Sequence, residues 1–197
     1  MDPRAVTLEG KRVRLRPLAV DDADRLFELS AGDEAIWRLN PESEPDRDEM
    51  RRRTEFLVAA TAAGTDVAFA QTLAATGEVI GQTTYMAIDR PNGSVEIGRT
   101  WLARPHRRTG ANTESKYLLM RHAFDDLGAN RVWWKTDALN ETSRNAILRL
   151  GATFEGTLRH HMVTWSGRLR DTVVYSVIRP EWPAVRARLE DRLARRP

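Results

Sequence analysis

The chain has 197 residues, 41% of them hydrophobic and 30% charged, which suits one globular domain (1–197) with a core large enough to need no staples. It has no cysteine, which excludes disulfides, thiolate zinc sites and a cysteine-borne acyl intermediate. No apolar run approaches the ~20 residues that span a bilayer and the first residues lack a signal peptide's apolar core, so a cytoplasmic protein without membrane contact is expected.

Val13 and Leu15 alternate with Arg12, Arg14 and Arg16, predicting a first strand with one buried face, closed by Pro17. Asp21 or Asp22 can cap a helix reaching about Ala31, with Ala23, Leu26, Phe27 and Leu29 inward. Ile36 to Asp46 reads as a loop, and Pro45 fits the start of a second helix that Gly64 stops. That helix begins Asp46-Arg47-Asp48-Glu49-Met50-Arg51-Arg52-Arg53, where acids and arginines interleave as on a solvated face. Net charge is only +3, although the sequence pI is about 9.7, and Lys11, Lys116 and Lys135 are the only lysines. Direct nucleic-acid binding, which usually shows a clustered basic face, is therefore not expected.

From Asp66 the pattern turns to strands. Val67–Ala74 and Val79–Ile88 flank a turn at Thr76-Gly77, and Asn92-Gly93 is a second turn. Val95, Ile97, Trp101 and Leu102 then form a strand that feeds Pro105 and a short basic loop. A long amphipathic pattern follows, with Tyr117, Met120, Phe124 and Leu127 on one face and Gly128 at its end. Arg131–Thr136 is a fifth strand, parallel to the fourth through a strand–helix–strand crossover. Asn140 caps a helix that carries Ser143, Ala146, Ile147 and Leu150 on one face before Gly151. Two last strands, Thr157–Trp165 and Asp171–Ile178, pair around Ser166-Gly167, and a basic helix covers about 182–195. The expected fold class is α+β, with a mixed, mostly antiparallel sheet of about six to seven strands flanked by helices.

The loop Arg107-Arg108-Thr109-Gly110-Ala111-Asn112 is the chemically suggestive stretch. The first amides of a helix have no carbonyl partner, and the macrodipole adds partial positive charge there. A glycine admits a ligand close to that backbone, so the loop can hold a phosphate; its ordinary alternative is a plain helix-starting turn.

The order of elements resembles the GNAT superfamily of acyl-CoA-dependent N-acyltransferases. Arg107 to Asn112 matches that family's Q/R-x-x-G-x-G/A loop except at the last position. The sequence is similar, more narrowly, to the RimL/RimJ-like branch that acetylates ribosomal-protein N-termini. That branch's cues are Val95-Glu96-Ile97-Gly98, Asn140-Glu141-Thr142-Ser143-Arg144-Asn145, Leu150-Gly151-Ala152, Glu155-Gly156-Thr157-Leu158-Arg159, and Arg170 to Ser176. Two departures stand out. Asn112 replaces a small residue, and Ile147 stands where many relatives carry a tyrosine that protonates the departing thiol.

The resemblance implies acetyl-CoA or another acyl-CoA as co-substrate, with no metal. It implies that backbone groups of Arg108 through Thr113 bind the CoA pyrophosphate, beside Arg107. It also implies that the strand ending at Trp101-Leu102-Ala103 splays from its parallel neighbour, so that the pantetheine arm pairs there and an amide near Leu102 polarises the carbonyl. Exposed backbone dipoles suit this task because they need no reorientation during reaction. Glu96 is the candidate general base; an outward-facing strand glutamate is the alternative. Ser143 is the candidate to bond or protonate the CoA sulfur, and Asn140 to bond the pantetheine amide; both are also ordinary residues of a capped first turn. His160 and His161 alternate on a strand and cannot jointly ligate one ion, and Trp133-Trp134 reads as strand packing, one ring per face.

The acceptor implied is an amine, either a protein N-terminus or a small molecule. A small-molecule amine acetyl- or succinyltransferase and a non-catalytic acyl-CoA-binding protein are the alternatives, and a homodimer is conceivable from the apolar C-terminal hairpin.

Overall fold

The structure is a computed structural model describing residues 1–195. Eight strands form one sheet: β1 (Leu8–Glu9), β2 (Val13–Pro17), β3 (Val67–Leu73), β4 (Val79–Asp89), β5 (Ser94–Leu102), β6 (Arg131–Asp137), β7 (Thr153–Val163) and β8 (Leu169–Ile178). Their spatial order is β1-β2-β3-β4-β5-β6-β8-β7, and every neighbouring pair is antiparallel except β5–β6. The eighth strand, beyond the six to seven expected, is β1. At two residues it is too short to display alternation, and pairing with β2 is what makes it a strand.

The helices are α1 (Ala23–Ser30), α2 (Glu34–Trp37), α3 (Arg47–Ala63), α4 (Ala111–Arg121), α5 (Glu141–Leu150) and α6 (Trp182–Ala194). Three local expectations need correction. Asp22 flanks α1 but does not cap it, because its carboxylate takes Arg16 and the Ala19 amide instead. The loop expected over 36–46 holds part of α2, which Asp33 caps through the Ala35 amide and Trp37 anchors by burial. The second helix starts one residue after Asp46, not at Pro45, since the Asp46 carboxylate accepts the Glu49 N–H at 2.7 Å.

Alternate strand residues sort onto two faces. Val13, Leu15, Val67, Phe69, Val95, Ile97, Val132, Trp134, Val173 and Tyr175 pack under α4, α5 and α6. Leu18, Ala68, Ala70 and Val79 pack under Leu26, Trp37, Met50 and Leu57 of α1–α3. On this second side the helices lie over β3 and β4, so the stretch of β5, β6 and β8 beyond them borders a cleft. Trp133 and Trp134 do take opposite faces, with Trp134 in the core and Trp133 half-buried on the cleft side.

α4 passes at Arg121 into a π-type turn, His122–Asp126, with Phe124 stacked on Trp182 of α6 at 5.2 Å between centroids. Burial therefore surrounds much more of α4 than the single stripe expected, taking in Leu118, Leu119 and Ala123 as well. Sheet and α6 press on it from two sides.

Candidate active site

β5 and β6 run parallel for three residue pairs only: Ser94 with Arg131, Val95 with Val132, Glu96 with Trp133. Beyond Glu96, β5 continues beside β4 as far as Leu102, and β6 beside β8 as far as Asp137. The two strands part at that point, and the peptide groups on their facing edges have no ladder partner in each other. Such an edge accepts an extended ligand as it would a strand.

A bulge sharpens this divergence. Thr84 pairs with Gly98 and Gln82 with Trp101, so Thr83 alone stands opposite Arg99 and Thr100. Arg99 has φ of +46° and its guanidinium reaches Asp66 at 2.7 Å. The bulge turns Thr100 toward α4 and Trp101 toward the α1–α3 side. Leu102 and Ala103 are buried at the strand's end, where the Ala103 amide donates to Ile80.

A 3-10 turn over Arg104–His106 leads into the basic loop. Arg108 has φ of +63° and Gly110 of +96°, so the chain reverses into α4 through left-handed conformations that favour glycine at the second position. Thr109 Oγ1 donates to the His106 carbonyl at 2.8 Å. The first amide–carbonyl bond of the helix runs from Glu114 to Gly110 at 3.0 Å, so the amides of Asn112 and Thr113 point ahead of the helix with no intrahelical acceptor. Ala111 is buried, while Asn112 and Thr113 are partly open.

Arg107 behaves differently from its neighbour. Its guanidinium holds the Asp33 carboxylate at 2.5 Å and the Leu102 carbonyl at 2.8 Å, joining the end of β5 to the start of α2. Arg108 is exposed. Sequence reasoning missed Arg12, which lies against Gly110 and also bonds the Leu193 carbonyl. It missed Glu114 as well: buried at 4% exposure, its carboxylate accepts the amides of Lys11, Arg12 and Val13 at 3.1, 2.7 and 2.8 Å, fastening α4 to β2.

Glu96 is the last residue of the parallel ladder and lies on the sheet face opposite the α4 core. It is 2% exposed. Burial pushes its carboxyl above the usual range, while Lys135 and, more weakly, Arg99 pull it back. Lys135 Nζ is 3.1 Å from Oε2, an ion pair outside good hydrogen-bond alignment, and lies over the Trp133 ring. Gly98 leaves the space beside Oε1 clear; a side chain there would meet Oε1 at 3.2 Å and press into Met86. A cleft of about 400 Å³ on this side of the sheet is lined by Ala87, Asp89, Ser94, Arg131, Trp133 and Val174, next to Glu96's ladder partner but without Glu96 itself in its wall.

Asn140 and Ser143 stand just past the end of β6. The Asn140 side-chain carbonyl accepts the Ser143 amide at 3.0 Å, so it caps α5. Ser143 is half-buried, and Ile147 is in the core. The ends of β5 and β6, the Gly110 loop and the first turn of α5 thus all meet at the carboxyl edge of the parallel pair. Glu96 sits at the inner end of the gap.

Residues 12–153 match the family described as Acetyltransferase (GNAT) domain. The chain belongs to the GNAT acetyltransferase family. It is 35% identical to a GCN5-related N-acetyltransferase from Brucella melitensis, covering 99% of this chain and 88% of that one with a TM-score of 0.90. It is 29% identical to the uncharacterised N-acetyltransferase p20 of Bacillus licheniformis, over 89% of this chain and 98% of that protein. RimJ from Mycobacterium smegmatis in complex with CoA-disulfide, 22% identical, shares the fold with a TM-score of 0.84 over 95% of each chain.

As in the solved GCN5-related N-acetyltransferase from Brucella melitensis, the GNAT fold runs through nearly the whole chain. The residues missed from sequence share one trait. Arg12, Asp33, Glu114 and Lys135 each act on a residue far away in the chain, and no local pattern marks such a pair.

Proposed function

We propose that the protein transfers an acetyl group from acetyl-CoA directly to the N-terminal amine of a protein or peptide acceptor, within a single acyl-CoA-dependent domain. The observation that carries this reading is a buried carboxylate, Glu96, at the point where β5 and β6 part, on the sheet face that also carries a cleft. Acetyl-CoA supplies the activated acyl group. The amides of Arg108 through Thr113 hold its pyrophosphate, with Arg107 keeping the loop in place through Asp33.

The stretch Trp101, Leu102 and Ala103 offers the pantetheine arm and the thioester carbonyl those main-chain groups that the fold leaves over, the Trp101 and Leu102 carbonyls and the Ala103 amide being engaged by Gln71, Arg107 and Ile80. Glu96, with its raised pKa, takes the proton from the attacking amine as the C–N bond forms and the C–S bond breaks. Ser143 lies at the edge where the thiolate departs and donates to it, standing in for the tyrosine that Ile147 replaces. Asn140 keeps α5 in place by capping it and presents its side-chain amide to the arm. The cleft beyond Glu96 has room for more of the acceptor than its amine, which favours a chain terminus over a small amine.

The test is a CoA-release assay with acetyl-CoA and a pool of peptides with free α-amines, run beside amino acids and polyamines, with products located by mass spectrometry. Acetylation at peptide α-amines is expected. Turnover of small amines alone would replace this reading with the small-molecule one.

Arg170 favours testing a second donor. Its guanidinium is 5% exposed near Asp137, and Nε has no hydrogen-bond partner among the described residues. If the acyl group reaches Arg170, a succinyl carboxylate would compete with Asp137 for this cation, and succinyl-CoA run in the same assay tests that.

A further inference from the structure

One buried group near this site has no part in that chemistry. Lys116 projects from α4 toward the sheet and is 4% exposed. Its amine donates to Thr83 Oγ1 at 2.9 Å and to Thr100 Oγ1, and these two hydroxyls are 2.7 Å apart. Thr100 Oγ1 in turn reaches the Gly98 carbonyl at 3.2 Å. These are the residues of the bulge: Thr83 on β4, Thr100 on β5, and Gly98 just before the turn of the chain at Arg99.

Charged and titratable groups on the elements around Lys116 are engaged elsewhere. Glu114 is held by the amides at the start of β2, and Arg99 by Asp66. Glu96 and Lys135 pair on the far face of the sheet, and the Tyr85 hydroxyl donates to the Leu119 carbonyl. Burial alone lowers the Lys116 pKa, to about 7. An uncharged amine has two N–H groups for the two hydroxyls, whereas an ammonium adds a third that they do not serve.

We propose that Lys116 is a positioning residue that ties α4 to the β5 bulge and so sets the main chain of Thr100–Leu102 against the thioester. This rests on the reading of β5 as the strand that receives the acyl-CoA arm. α4 then fixes the co-substrate at two places: its first amides hold the pyrophosphate, and one side chain from its second turn aligns the reacting end. A displacement of the order of 1 Å at a reacting group costs up to about 100-fold in rate, and burial in a packed core is what keeps this register.

The experiment compares the wild-type chain with Lys116→Met and Thr100→Val, using acetyl-CoA with the peptide pool. Calorimetry is expected to give acetyl-CoA Kd values within about threefold of wild type, while kcat falls about 10- to 100-fold. The ratio of wild-type to Lys116→Met kcat is expected to be larger near about pH 8.5 than near about pH 6, because protonation of the buried amine adds an N–H for which the two hydroxyls leave no acceptor. A ratio that does not change with pH, or an unchanged kcat, overturns the proposal. Should Lys116→Met fail to fold, Thr100→Val keeps the amine and removes its link; wild-type turnover in that variant overturns the proposal equally. Amide resonances of Arg99 to Leu102, followed without co-substrate, are expected to titrate near neutral pH in the wild type and to stay flat in Lys116→Met. That measurement decides the Lys116 link even if acetyl-CoA fails to bind, a result that would count against the acyl-CoA reading instead.

Discussion

Replacing Gly110 separates backbone strain from charge at the loop that opens α4. Gly110 has φ of +96°, and an added Cβ would meet Arg12 atoms at 3.5 and 3.6 Å, which is ordinary contact. Gly110→Ala therefore pays in conformation and not in collision, about 1–3 kcal/mol of stability for a side chain held at this φ. Gly110→Asp carries the same strain and adds a carboxylate beside the amides assigned to the pyrophosphate. At about 5 Å and an effective dielectric of roughly 20–80, two like charges repel by about 1–3 kcal/mol. Acetyl-CoA should accordingly bind Gly110→Asp roughly 5- to 150-fold more weakly than Gly110→Ala. Arg12 adds to the difference, because an aspartate at this position would draw it away from an anion. Calorimetry at low salt measures the gap, and repeating it at about 1 M salt, where the screening length is only about 3 Å, should narrow it. Equal affinities for the two variants at low salt would refute the assignment of the pyrophosphate to this loop.

Glu96→Gln should lower kcat by about 100-fold or more while leaving the acetyl-CoA Kd unchanged, because the amide keeps the shape and loses the base; undiminished turnover would remove Glu96 from the chemistry. In wild type, activity should rise with pH through a limb displaced above the ordinary glutamate range, and the limb should vanish in Glu96→Gln. Glu114→Ala strips an acceptor from three amides of the β1–β2 turn and should cost about 3–5 kcal/mol in urea unfolding, less whatever water recovers; a loss below about 1 kcal/mol would show the turn held by other means. Lys116 has a folded pKa of about 7, below the usual 10.5 of the unfolded chain, so the unfolded state binds the extra proton between those values. Wild-type stability should therefore fall relative to Lys116→Met as pH drops through that window, by as much as about 5 kcal/mol, and parallel stability curves would contradict the buried neutral amine.

Much of the architecture was legible because its signals are local. Gly64, Gly128 and Gly151 end helices at φ of +73°, +69° and +104°, where their positions after periodic apolar residues placed those ends. Asn140 caps α5 as its spacing to Ser143 suggested. β1 and α2 escaped notice for the opposite reason: two and four residues hold too little periodicity, and pairing with β2 and the burial of Trp37 decide them. Lys116 was not singled out either, since a lysine among Glu114, Ser115 and Tyr117 reads as solvent-facing until α4 is seen pressed between sheet and α6.

The position of Glu96 shows where such reading ends and why. An alternating strand with one glutamate is compatible with an idle surface carboxylate or a buried base, and its own residues do not choose between them. The burial of Glu96 is set by the tertiary structure, where Lys135 and Trp133 reach it across the parallel pair from 39 and 37 residues further on. Gly98 bears on it too, since a Cβ there would come within 3.2 Å of Oε1 and press into Met86. Parallel pairing after a helical crossover brings those groups together, and the ladder stops just there because β5 bulges against β4 while β6 follows β8. On the proposed reading the same bulge opens the gap for a thioester and keeps the carboxylate at its inner end, so changes at Thr83, Thr100 or Lys116 should alter the reaction proposed at Glu96 without touching it.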